Sequence, residues 1–131
     1  MTIPMICLAV GILLPYVWAP LSFGERKSRF GAPDFALPRV QAAQLQGLGA
    51  RAMGAHANAF EALTVFATAV LLNHLAGAAA TTASAVLAVV WLVARIAHGA
   101  FYVMDLRVPR SGAFAVGFLS SLGLVGLAFS A

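Results

Sequence analysis

The sequence predicts an all-α membrane protein, built as a four-transmembrane-helix antiparallel bundle. Of its 131 residues 62% are hydrophobic and 9% are charged, and the mean hydropathy is +0.93. Average soluble domains carry about 25% charged residues. A bilayer span needs about 20 mostly apolar residues, so a chain of this length holds about four with short connections. A single integral-membrane domain over residues 1–131 is expected.

The first span is expected over 3–21, "IPMICLAVGILLPYVWAPL", with Pro15 kinking it. No positive side chain precedes its apolar core, so it is read as a retained span rather than a secretory signal. The segment that follows, "SFGERKSRFGAPDFALPRV", is punctuated by Gly24, Gly31, Pro33 and Pro38 and reads as a basic loop carrying Arg26, Lys27, Arg29 and Arg39. The second helix is expected over 39–75, longer than a bilayer core requires. The third is expected over 82–104 and the fourth over 111–129, after Pro109. The loop after the second helix lacks Lys and Arg, whereas the third loop has Arg107 and Arg110. The positive-inside rule then places the first and third loops in the cytoplasm and both termini on the opposite side. Alanine-rich composition and the lack of a targeting extension suggest a bacterial inner membrane. Glycines crowd the second and fourth helices and allow close helix approach, within the bundle or between copies.

Polar side chains interrupt this apolar pattern at one end. On the second helix Gln44, Arg51 and Asn58 repeat every seven residues, with Glu61 about 60° further round. On the third, Trp91, Arg95, His98, Tyr102 and Asp105 follow steps of four, three, four and three. Antiparallel packing brings the start of the second helix beside the end of the third, so Arg51, Asn58, Glu61, Arg95, His98, Tyr102 and Arg110 can converge. A purely structural reading pairs Glu61 with Arg51 or Arg95 and ties Asn58 to a helix backbone. Three arginines beside one or two acids exceed that need, and an anionic ligand would balance them. Trp91 reads as packing; His56 lies off the stripe; Lys27, Asp34 and the loop residue His74 read as solvated.

Other classes are disfavoured. The basic residues are few, dispersed and explained by topology, so no nucleic-acid partner is expected. Cys7 is the sole cysteine, excluding an intramolecular disulfide, and is read as packed or lipid-facing. The three histidines lack a shared i, i+4 spacing, so no metal is expected. Phosphate loops and nucleophile elbows are absent, and polar stripes that stop halfway argue against a channel.

"RAMGAHANAFEAL" resembles the second-helix signature of the MAPEG family, the membrane-associated proteins in eicosanoid and glutathione metabolism, at Arg51, His56, Asn58 and Glu61. "ARIAHGAFYVMDLRVPRSGAFAVGF" resembles the third-to-fourth-helix segment of microsomal glutathione transferases at Arg95, His98, Tyr102 and Arg110. The resemblance implies a homotrimer that binds glutathione as co-substrate between subunits near the cytoplasmic face. It implies that Arg51, Asn58, Glu61, Arg95 and Tyr102 contact glutathione and that Arg110 lies by its sulfur. Ala97, Ala62 and Ala55, beside Gly54, depart from the family pattern.

The residue types suit that chemistry. Arg51 and Arg95 match carboxylates, Glu61 matches an ammonium, and His98 can orient a neighbour or act as a base. Arg110 at the start of a helix, with Tyr102 as second donor, would favour a thiolate. The expected activity is a glutathione-dependent transferase or hydroperoxide reductase acting on lipophilic electrophiles taken from the membrane lipid. The alternative is a non-enzymatic lipid- or anion-binding trimeric scaffold.

Overall fold

Four helical columns, Ile3–Phe30, Gly47–Leu75, Thr82–Val103 and Arg107–Phe129, are long and apolar enough to cross a membrane. They come from a computed structural model that describes residues 1–131 and contains no strand.

The first column is segmented into α1 (Ile3–Gly11), α2 (Leu14–Trp18), a 3-10 turn (Ala19–Ser22) and α3 (Phe23–Phe30). Pro15 and Pro20 lack the N–H donors that a continuous helix needs there, which accounts for the breaks. The expected end at Leu21 is too early. Helix continues to Phe30, with Gly24 inside α3, and stops at Gly31, whose φ of 81° ends it. Arg26, expected in the basic loop, is instead helical and 5% exposed. It donates to Ser22 Oγ (3.2 Å), the Pro38 carbonyl (3.3 Å) and Gln41 Oε1 (2.8 Å). Those long-range bonds keep this segment ordered despite its turn-forming composition.

The expected second helix, 39–75, is two helices: α4 (Pro38–Ala43) and α5 (Gly47–Leu75). Gln46 is extended and Gly47 has φ 48°. The break is fixed by Glu25, whose carboxylate accepts the N–H groups of Gln46 (2.6 Å) and Gly49 (2.9 Å). A side chain from another helix thus caps α5, as charge at a helix N-terminus favours. Gly49 is required at that contact, since a Cβ there would strike Glu25 Oε2. Gln44 lies outside α5 and leaves the polar stripe. His74 sits in the last turn of α5 rather than in a loop, and it is exposed.

Helix α6 (Thr82–Val103) ends within one residue of expectation and is capped by Thr81 Oγ1, which accepts the Ser84 N–H at 3.2 Å. Helix α7 (Arg107–Phe129) starts four residues before the expected Ser111, after a turn in which Asp105 has φ 59°. Pro109 is therefore the third helical residue, a position whose N–H has no partner within a helix in any case. Arg110 is consequently helical, not part of a loop.

Named contacts define the antiparallel order. Arg51 Nε at the start of α5 donates to the carbonyl of Val103 at the end of α6 (3.0 Å). At the other end Asn73 Nδ2 of α5 donates to the Leu124 carbonyl of α7 (3.2 Å). The core between them holds Cys7, Phe66, Ala69, Val70, Ala88, Trp91 and Leu124. Trp91 packs as expected, stacked on Phe66 with centroids 3.7 Å apart and planes at 7°. Such a pair adds about 0.5–1.5 kcal/mol beyond burial.

Candidate functional site

Asn58 and Arg95 face each other because antiparallel α5 and α6 set their polar stripes at one depth. Arg95 is 4% exposed. Its Nη2 donates to Asn58 Oδ1 (2.5 Å) and to the Asn58 carbonyl (3.2 Å). Asn58 in turn donates weakly through Nδ2 to Glu61 Oε2 (3.5 Å). The pairing of Glu61 with Arg51 or Arg95 that a purely structural reading requires is not found: the chain's two salt bridges join Arg29 to Glu25 (3.8 Å) and Arg107 to Asp105 (3.7 Å). Arg51, Arg95 and Arg110 all lack a carboxylate partner. An unbalanced arginine at membrane depth costs about 3 kcal/mol.

Tyr102, one helical turn beyond His98, lies over Gly54 of α5; a Cβ there would come 2.6 Å from the phenol oxygen. The Arg110 guanidinium stacks on the Tyr102 ring, 4.3 Å from its centroid. That contact orients the arginine without consuming its donors. His98 is 3% exposed, edge-on to Tyr102 at 5.7 Å, and its Nδ1 is buried without a hydrogen-bond partner. Buried polar atoms are usually satisfied.

Two cavities result. One, of about 250 Å³, is lined by Asn58, His98, Tyr102, Arg110, Ser111 and Phe114. The other, of about 150 Å³, is lined by Glu61 and Arg95 together with Ala62, Val65, Trp91, Phe114, Phe118 and Ser121. Phe114 belongs to both. Six of the seven residues expected to converge therefore line two cavities that share a wall. Arg51 is the exception, held by the Val103 carbonyl at the end of α6. His56, left apart from the stripe, is structural: its Nδ1 donates to the Pro15 carbonyl (2.8 Å) and its ring meets Phe60 edge-on at 5.1 Å.

Ser111 and Phe114 were not singled out from the sequence. The available signal was the four-residue offset of Phe114 from Arg110, which places both on one face of α7 once it is known to begin at Arg107. With an expected start at Ser111 that face could not be drawn.

A scan against protein families matches residues 3–130 to the model described as the MAPEG family. Searches of curated proteins and of solved structures found no match. The chain belongs to the MAPEG family, which includes glutathione transferases and related proteins.

Proposed function

From this membership and the paired cavities, we propose that the protein is a glutathione-dependent transferase or hydroperoxide reductase acting on lipophilic substrates. The observation that carries the reading is the division of charge between the two cavities. Glu61 and Arg95 line one of them, and an amino-acid head with an ammonium and a carboxylate on one carbon is their complement. Arg110 and Tyr102 line the other, where the thiol of the same tripeptide would lie. Arg51, with its Nη groups uncommitted to the Val103 carbonyl, would meet the second carboxylate. Asn58 and His98 complete the binding surface between the two ends.

A free thiol ionises near pH 8.5, so catalysis requires the thiolate to be favoured. Arg110 sits in the first turn of α7, where guanidinium charge and helix dipole act together. Tyr102 supplies an O–H donor, and both donors favour sulfur as charge develops on it. The thiolate would attack an electrophilic carbon with loss of its leaving group. With a hydroperoxide it would attack oxygen and release the alcohol, a second thiol then displacing water to give the disulfide.

Glu61 is exposed on the same face of α5 as Thr64 and Thr68. Both hydroxyls donate to their own helix, to the Phe60 and Thr64 carbonyls, but the carboxylate has only the weak Asn58 contact. A carboxylate facing lipid is unfavourable, which supports a homotrimer whose neighbouring copy covers this face and completes the site. The basic ends support a cytoplasmic site in a bacterial inner membrane, with termini opposite.

The test is a titration of the detergent-solubilised protein with glutathione, followed by ultraviolet thiolate absorbance, with Arg110→Ala as control. A saturating signal that depends on Arg110 is expected. Failure to bind at millimolar thiol would overturn the reading.

A further inference from the structure

The hairpin formed by α3 and α4 is tied together by side-chain hydrogen bonds, yet it displays large apolar side chains. Besides the Arg26 bonds, Gln41 Nε2 donates to the Ala32 carbonyl (2.9 Å) and its Oε1 accepts the Asp34 N–H (3.0 Å). Asp34 Oδ1 accepts from the N–H groups of Ala36 (2.8 Å) and Leu37 (3.0 Å). Against this framework Phe35 is 87% exposed, Leu37 59% and Val40 53%. Lys27, Arg29 and Arg39 are also exposed. Arg29 leans toward Glu25 at 3.8 Å, whereas Lys27 and Arg39 form no salt bridge.

Depth decides what covers these groups. From Ile3 to Ser22 the first column rises about 28 Å, close to the thickness of a bilayer core. The bonds from Arg26 to Ser22, Pro38 and Gln41 fold α4 back to that level. Leu37 and Val40 thus stand at the boundary between acyl chains and headgroups, with cations beside them.

We propose that the α3–α4 hairpin is an interfacial binding surface for anionic membrane lipid. Phe35, Leu37 and Val40 enter the headgroup–acyl boundary, and Lys27, Arg29 and Arg39 hold lipid phosphates. This inference is independent of the glutathione reading.

Two experiments on the full chain test it. In the first, a nitroxide is attached to Phe35→Cys in a Cys7→Ala background, in vesicles of phosphatidylglycerol and phosphatidylcholine. Greater collision with oxygen than with a water-soluble nickel chelate is expected. Preferential access by the chelate, or spin–spin broadening from a second copy, would overturn the proposal. In the second, protein with its native cysteine is extracted from the same vesicles and its retained lipid is measured. Phosphatidylglycerol should be enriched, each cation contributing about fivefold in affinity. The combined Lys27→Gln, Arg29→Gln, Arg39→Gln variant should retain the vesicle ratio; unchanged enrichment in that variant would overturn the role of the cations.

Discussion

Around Phe66 and Val70 the bundle is filled by close packing, whereas around Arg95 and Arg110 it borders two cavities. In the packed region Phe66 stacks on the Trp91 ring and a Cβ added at Gly11 would strike that ring, while Trp91 also stands at the edge of the smaller cavity. The polar residue nearby, Asn73, spends its amide on the Leu124 carbonyl; its Oδ1 has no partner, but it borders none of the cavities described. In the open region Arg95 and Arg110 lack carboxylates, His98 Nδ1 lacks a partner, and all three residues line the two cavities. Unsatisfied polarity marks a ligand site where it meets a cavity, and marks only an imperfect cross-link where it does not.

Substitutions can break that contrast. The largest expected effect is on catalysis: Arg110→Ala should lower turnover about 10²–10³-fold, the cost of losing a donor to developing charge. Assembly should be unchanged on size-exclusion chromatography, because Arg110 packs chiefly on the Tyr102 ring. Next, Gly11→Ala should act only on stability. Its Cβ would come 2.9 Å from the Trp91 ring, and overpacking of this kind costs about 1–3 kcal/mol, read as a lower unfolding midpoint with kcat retained.

Glu61→Gln should sharpen the division between binding and structure. It should weaken glutathione binding about tenfold, equivalent to about 1.4 kcal/mol, while leaving oligomer size intact. Loss of the oligomer with unaltered affinity would instead assign Glu61 to assembly. The smallest effect is expected for Asn73→Ala, about 0.6 kcal/mol of stability for one interhelical hydrogen bond in a membrane bundle. Thiolate formation should not change.

Much of this arrangement is legible in the sequence. Asn58, Arg95, His98 and Tyr102 stand on regular helical steps, and periodicity alone placed them on facing stripes. The expected bounds of α6, 82–104, agree with Thr82–Val103 to within one residue. The start of α5 was not legible, because its cap is Glu25, twenty-one residues upstream of the first N–H it accepts. The expected start of α7 at Ser111 is four residues late, because Pro109, expected to precede the helix, stands third within it.

The sequence by itself determined that the protein is a four-span helical membrane protein with polar groups concentrated at one end, because hydropathy and helical period are local properties of the chain. Tertiary structure alone decided that Glu25 begins α5 and that Arg26 ties α3 to α4. It also decided that Phe114 stands between the cavity of Glu61 and Arg95 and the cavity of Tyr102 and Arg110. Those outcomes depend on which distant donors and acceptors meet when the helices pack, and no periodicity within one segment carries that information.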